Sequence, residues 1–168
     1  MKSFISTLVS LFFISTLLLS CSKEEDGVYF NDNAEVVNEN NITYSSIENE
    51  ILKLVNNHRT SLGLSTLSTL NIISGVADGH TNYMIEVGGI NHDNFSQRSE
   101  YLKKQAHAIS VGENVAYGFN TAQGVFNGWL NSQAHRNVIE NPNYTHFGIS
   151  TDSDNDNKNY FTQIFIKK

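Results

Sequence analysis

Apolar residues recur at helical spacing from Ile47 to Val55, and this pattern runs on to a stop at Gly63. Ser45 precedes it with Glu48 three residues later, the arrangement in which each residue hydrogen bonds to the other's backbone N–H at the start of a helix. The pattern therefore predicts a first helix that begins after Ser45 and buries one face.

A second helical pattern covers residues 72–87, whose apolar positions share one broad face. Ser68 or Thr69 is expected to cap its start, and Gly88 is a typical residue for its end. His80 falls on the apolar face, where packing against the core is the expected role. The other helical histidine, His58, is likewise assigned to packing or surface hydrogen bonding.

Two shorter helices follow, the first predicted around Ser96 to Lys104. The second is predicted from Ala122 to Asn131, with Thr121 as its cap and with Trp129 on its buried stripe.

The pattern then changes to alternation of apolar and polar residues in "THFGIST" and "NYFTQIFIKK", which are rich in aromatic and β-branched side chains. Between them lies the turn-forming segment 152–158, "DSDNDNK". Its alternating Asp residues resemble a Ca²⁺ loop, but Asn157 replaces the required Gly, so a solvated hairpin tip is the better interpretation. Helices followed by a hairpin predict an α+β fold with a small antiparallel sheet covered by helices.

Composition and charge limit the range of functions. The chain has 168 residues, 39% of them hydrophobic, which is enough for one core and one domain. The net charge is −6, and basic residues form no cluster longer than a pair. Nucleic acid is therefore not an expected partner.

The N-terminus indicates export. Residues 1–20 combine one basic residue with an apolar stretch too short to span a bilayer, as in a secretory signal peptide. The only cysteine, Cys21, follows Leu-Leu-Ser and resembles the lipid-attachment site of bacterial lipoproteins. Lipid on Cys21 would tie the protein to a membrane. The alternative is an ordinary signal peptide, with Cys21 as an idle thiol.

Residues 21–44 are acidic and rich in Asn, without helical or strand periodicity, and are predicted to be a tether. Near their start stands "SKEEDG", which resembles a signal that sends some lipoproteins to the outside of the outer membrane; a solvated charge run is the alternative. The folded domain is expected at 45–168. With no second cysteine it forms no internal disulfide.

Four segments in this order resemble the CAP superfamily, also called the SCP-like extracellular domain, in its bacterial form. They are "LVNNHRTSLGLSTL", "GGINHDNF", "VGENVAYG" and "WLNSQAHRNVIENPNYTHFGIS". The resemblance covers residues 47–165 and implies an α-β-α sandwich. It agrees with the helices and hairpin inferred from the pattern.

The resemblance also implies a solvent-accessible cavity lined by histidines and acidic residues, which holds a divalent metal in some members. His92, Glu113 and His135 occupy the matching positions, and Ser132 stands where animal members carry a second acidic residue. Two imidazoles and a carboxylate would be an adequate partial shell for Zn²⁺ or a similar ion. The sequence spacing by itself gives no support for their convergence.

Each of these residues also has a structural interpretation. His92 and His135 can hydrogen bond locally, and Glu113 can accept bonds from loop N–H groups. Ser132 lies three residues before His135, but its flanks lack the glycines of a nucleophile elbow, so a helix-capping role is favoured over catalysis. Arg59 and Arg136 are expected to be structural partners of carbonyl or carboxylate groups.

These observations favour an exported, lipid-anchored protein of the cell envelope, at the outer membrane or the cell surface. In this hypothesis a shared cavity binds a divalent metal or small ligand in an interaction role. The rival hypothesis is a metal-assisted extracellular hydrolase, peptidase-like or esterase-like, with Glu113 as general base. The choice between binding and catalysis stays open, with binding favoured.

Overall fold

The first helix begins where the sequence predicts. The computed structural model describes residues 42–168, and within it α1 spans Ser46–Ser61. Glu48 N donates to Ser45 Oγ at 3.4 Å and Ser45 N donates to Glu48 Oε2 at 2.7 Å, which confirms the capping box. After the helix, Gly63 has φ of +73°, a left-handed conformation that glycine adopts without strain.

The start of the second helix differs from the prediction. Helix α2 spans Asn71–Val87 and begins after Leu70, which has no side-chain capping bond. Ser68 and Thr69 form a short strand, β1, instead of capping the helix. Their segment is held by main-chain bonds to a neighbouring strand, among them one from Ser68 N to Thr145 O at 3.0 Å. The left-handed residue Gly88 ends the helix as expected.

Three further helices cover the sheet. Helix α3 spans Phe95–Gln105, one residue longer at each end than predicted, α4 spans Ala122–Asn131 as predicted, and α5 spans Gln133–Ile139. Thr121 caps α4 through a bond from Gly124 N to its Oγ1 at 3.0 Å.

The remaining strands are β2 (Ser110–Tyr117), β3 (His146–Ser153) and β4 (Asn159–Lys167). The sheet order is β1-β3-β4-β2. Strands β3 and β4 form the predicted antiparallel hairpin, and β2 pairs antiparallel with the other side of β4. The predicted small antiparallel sheet is therefore present, and β1 adds one parallel pairing, with β3.

The helices lie on both faces of the sheet, and this confirms the α-β-α sandwich. Helices α1, α4 and α5 pack on one face around Trp129 and Phe161, and α2 and α3 pack on the other around Ile73 and Ile164. Gly148 allows a close approach of α2, since a Cβ there would lie 2.5 Å from Ser74 N.

Arg59 has the structural role expected of it. Its side chain is buried, and Nη1 donates to Ile139 O at 2.6 Å and to Asn141 O at 2.9 Å. His58 Nε2 lies 2.9 Å from Glu140 Oε1 in the same region. Both contacts tie the end of α1 to the end of α5, a helix that borders the site described below.

The described residues include no helix long and apolar enough to cross a membrane. The predicted signal peptide, Cys21 and most of the predicted tether lie outside these residues. At the end of the tether, Tyr44 contacts the domain, and its hydroxyl lies 2.8 Å from Ser74 Oγ.

Candidate functional site

Glu113 is the centre of the polar cluster. It lies on β2 opposite Ile164, which packs with α2 and α3, so its side chain points into that layer. The side chain is only 1% exposed. A buried carboxylate needs compensating partners, and three side chains surround it.

Arg98 on α3 is the strongest of these partners. Its Nε donates to Glu113 Oε2 at 2.8 Å and its Nη2 donates to Oε1 at 2.7 Å, a two-pronged ion pair in which Arg98 is itself 3% exposed. The remaining nitrogen, Nη1, donates to Asp93 O at 2.6 Å. Arg98 therefore fixes both the carboxylate and the loop that precedes α3.

His92 is the exposed member of the cluster. Its Nδ1 lies 2.8 Å from Glu113 Oε1, and its side chain is 51% exposed. An ionised carboxylate only accepts hydrogen bonds, so Nδ1 carries the proton of this bond. In the neutral imidazole, Nε2 is then an acceptor, which leaves it available to a ligand.

His80 belongs to the same cluster, although the sequence assigned it to packing or surface hydrogen bonding. Its side chain is 1% exposed, and Nε2 lies 2.9 Å from Asn91 O and 3.9 Å from Glu113 Oε1. Burial lowers the pKa of His80, and the positive charge of Arg98 lowers it further, against the opposing effect of Glu113. His80 is therefore a neutral donor that holds the loop at Asn91.

The partners of Glu113 decide its ionisation. Burial alone raises the pKa of Glu113, but hydrogen bonds from His92 and Arg98, together with the charge of Arg98, outweigh it and lower the pKa overall. The carboxylate is therefore charged at neutral pH, and it accepts three hydrogen bonds, two from Arg98 and one from His92.

His135 lies on α5, which packs against β2 from the other face of the sheet. Its Nδ1 is buried without a hydrogen-bond partner among the described residues, as is Asn114 Oδ1 nearby. Asn114 Nδ2 donates to His135 O at 3.2 Å. Burial lowers the pKa of His135, and the charge of His92 lowers it further.

Ser132 does not have the capping role predicted for its side chain. It ends α4 and occupies the position before α5, but its hydroxyl makes no capping bond. Arg136 Nη1 instead donates to Leu130 O at 2.8 Å, across the junction of the two helices, and Arg136 also contacts Gln133. Arg136 is structural, as expected.

An open cavity of about 400 Å³ lies at this edge of the sheet. Its lining is mostly apolar or aromatic, with the polar cluster on one side: His92, Phe95, Val111, Gly112, Glu113, Val138 and Tyr144. His135 and Ser132 are not among the lining residues. Gly112 is required here, because a Cβ would collide with the hydroxyl of Tyr144.

The geometry bears on the predicted metal ligands. Among residues 42–168, no three His, Cys, Asp or Glu side chains are grouped so that they could hold a metal ion. Glu113 does not fit as a ligand, because both of its oxygens accept bonds from a cation, Arg98. His92 Nε2 and the buried His135 Nδ1 have no hydrogen-bond partner among the described residues, and metal binding through them remains a prediction.

The sequence reasoning missed Arg98, although a signal for it exists. Phe95, Arg98 and Leu102 stand at positions i, i+3 and i+7 of α3, so the arginine shares the helix face of a fully buried leucine. An arginine on an apolar stripe needs a buried acceptor.

Comparisons with known proteins agree with the fold. Residues 52–165 match the model of the CAP family, described as the cysteine-rich secretory protein family. The chain is 35% identical over 126 residues to the uncharacterized membrane protein YlbC of Bacillus subtilis, covering 72% of this chain and 34% of that protein. It therefore spans about a third of that relative's length.

Two solved structures are also similar. An outer surface protein from Borrelia burgdorferi has a TM-score of 0.64 and 24% identity, covering 70% of this chain and 90% of that one. An extracellular protein with an SCP domain from Bacillus anthracis has a TM-score of 0.62 and 27% identity, covering 72% of this chain and 40% of that one.

Proposed function

The chain belongs to the CAP family, and we propose that it is an exported, lipid-anchored envelope protein whose cavity binds a small ligand through His92. The main support for this proposal is the orientation of the His92 imidazole. Glu113 accepts a hydrogen bond from His92 Nδ1 at 2.8 Å, and Nε2 has no hydrogen-bond partner within residues 42–168; His92 lines a cavity of about 400 Å³. Cavities of this size are typical of small-ligand sites.

The lining defines the kind of ligand. Phe95, Val138 and Tyr144 suit an apolar or aromatic body, and His92 Nε2 suits a hydroxyl or amide that donates a hydrogen bond. The loop that carries His92 is held by Arg98 and His80, so little ordering is required when a ligand binds.

The envelope location is supported by the N-terminal sequence and by the relatives. Cys21 stands after Leu-Leu-Ser at the end of an apolar stretch. Similar proteins are described as a membrane protein, an outer surface protein and an extracellular protein. We propose that lipid attached to Cys21 anchors the protein. We also propose that the anchor lies in the outer membrane, with the domain facing outward.

Binding is tested with the full-length protein and neutral phenols and aromatic amides as probes. His92→Asn removes Nε2, and His107→Asn is the matched control, because His107 is an exposed histidine with φ of +56°, which Asn tolerates. Loss of one hydrogen bond is expected to weaken binding about fivefold in His92→Asn. No change in His107→Asn is expected. A wild type that binds none of the probes contradicts the proposal.

A divalent metal is the other candidate occupant, and zinc chloride alone tests it with the wild type, His92→Asn and His135→Asn. Zinc uptake that is lost in both variants would show that the site binds a metal and not an organic ligand. Uptake unaffected by either substitution would exclude this site as its location.

A hydrolase is the second candidate function, and the contact between Glu113 and His92 favours it. A carboxylate that orients an imidazole is a familiar arrangement for a general base. The base would be His92 and not Glu113, because Arg98 already occupies both oxygens of Glu113. Hydrolysis of p-nitrophenyl acetate that disappears in His92→Asn but not in His107→Asn would support it; equal background rates would exclude this activity.

The anchor has its own test. The intact mass of the wild type from a bacterial membrane fraction is compared with that of Cys21→Ala. A wild type without added lipid contradicts the assignment.

A further inference from the structure

Strand β2 has one side without a neighbouring strand among the described residues. The sheet order β1-β3-β4-β2 places it at an edge, where β4 pairs with its inner side only. Helices α3 and α5 pack against it from the two faces of the sheet. Between them lies the cavity, which includes Val111, Gly112 and Glu113 in its lining.

Two hydrogen bonds show which main-chain groups point out of the sheet. Gly118 N donates to Asn159 O of β4 at 2.8 Å, so Gly118 faces inward. Trp129 Nε1 donates to Val115 O at 3.1 Å from outside the sheet. Because antiparallel pairing alternates along a strand, Val111 and Glu113 share the outward orientation of Val115.

The cavity therefore offers a short row of main-chain donors and acceptors. The N–H and C=O groups of Val111 and Glu113 point away from β4, two residues apart, at a spacing of about 7 Å. The Trp129 indole already covers the next outward carbonyl, that of Val115, so the free row ends there.

The walls of the cavity suit the side chains of an added strand. Side chains of a strand alternate between the two faces of the sheet. On one side they would meet Phe95 and His92 of the α3 region, and on the other Val138 and Tyr144 of the α5 region. Apolar pockets thus flank the polar row on both sides.

We propose that the ligand of the cavity is a peptide segment in extended conformation, which adds to the sheet along Val111–Glu113. This proposal rests on the proposed function and names its ligand class. Only another extended main chain offers alternating donors and acceptors at the same spacing. An aliphatic ligand would leave these groups without partners, and a metal ion accepts nothing from an N–H.

The first test uses the full-length protein in detergent and a library of acetylated tetrapeptide amides built from Val, Phe, Ser and Glu. The tightest binder is then resynthesised with a methyl group on one backbone nitrogen at a time. Methylation at alternate positions is expected to weaken binding about tenfold, through loss of a bond and a steric clash, and at the positions between them less than about twofold.

The second test changes the protein. Val111→Pro removes an N–H that points away from β4, so no bond of the sheet is lost. Val111→Ala keeps the N–H and is the matched control. About tenfold weaker peptide binding is expected in Val111→Pro than in Val111→Ala, because only the proline variant also lacks the N–H. If Val111→Pro does not fold, the methylation series on the wild type decides.

Four results would overturn the proposal. Equal affinity of all methylated peptides would mean that the main chain is not recognised. Binding of the phenols without any peptide would refute strand addition while the proposed function stands; binding of neither class would refute both. Concentration-dependent dimers that disappear in Val111→Pro would assign the edge to a second copy of this chain.

Discussion

Arg98→Met is expected to destabilise the protein strongly at neutral pH. Met fills a similar volume on α3, so the loss is mainly that of the charge and its hydrogen bonds. The substitution leaves Glu113 buried at 1% exposure, with His92 as its main remaining donor. It also removes the bond from Arg98 Nη1 to Asp93 O.

The magnitude follows from these contacts. Removing one partner of a buried ion pair costs about 3–5 kcal/mol, because the other charge stays without compensation. The lost bond to Asp93 O adds about 1 kcal/mol, and partial relaxation of the loop offsets part of the total. We expect a loss of about 4 kcal/mol in the free energy of unfolding at pH 7. The double variant Arg98→Met with Glu113→Leu is expected to recover more than half of it, since no buried charge remains.

Urea unfolding followed by Trp129 fluorescence measures these free energies of unfolding, because Trp129 is the only tryptophan of the chain and is 2% exposed.

The pH dependence of the free energy of unfolding gives a second check. Glu113 has a lowered pKa when folded, so its contribution is present above the unfolded pKa of about 4.3 and is lost as pH falls through the folded pKa. The difference between wild type and Arg98→Met should therefore shrink in acid.

A cost of less than about 1 kcal/mol in Arg98→Met would mean that the pair with Glu113 behaves like an exposed one and would contradict its buried geometry. A double variant less stable than Arg98→Met alone would contradict it as well.

Three further predictions concern stability. Gly148→Ala is expected to lower the free energy of unfolding by about 1–3 kcal/mol, because its Cβ would collide with Ser74. Gly79→Ala lies in a helix and its Cβ would have nothing within 4 Å, so it should raise the free energy of unfolding by up to about 1 kcal/mol. Thermal unfolding compares the two variants. Ser132→Ala should change the unfolding free energy by less than about 0.5 kcal/mol, because its hydroxyl caps nothing; a loss of a full capping bond would contradict the structure. The pKa of His80 is lowered by burial and by Arg98, so its contribution to stability is present above about pH 6.5 and is lost as pH falls. In urea titrations, His80→Gln should therefore lose less stability than the wild type between about pH 7 and 5.

Local signals were enough to predict much of the fold. Ser45 and Glu48 satisfy each other within one turn, and Thr121 caps α4 through Gly124, so the sequence shows both helix starts. β1 could not be predicted in this way, because Ser68 and Thr69 are held by β3, which is distant in sequence. Their hydroxyl side chains instead resembled helix caps.

The candidate site was only partly predictable for the same reason. The family resemblance identified His92 and Glu113, but Arg98 and His80 reach Glu113 from two different helices. β2 was also missed, because Glu113 and Asn114 interrupt its apolar pattern although both are buried. Their partners, and not their polarity, decide this burial.

The position of β4 affects when the domain can fold. β4 lies between β2 and β3 in the sheet, yet it is the last of the described elements to be synthesised. Until residues 159–167 have left the ribosome, β2 and β3 lack the strand that joins them, and the two helical layers lack a complete sheet between them. Domains fold as units once their long-range pairings can form. The complete α-β-α domain can therefore form only after this last described strand has been made.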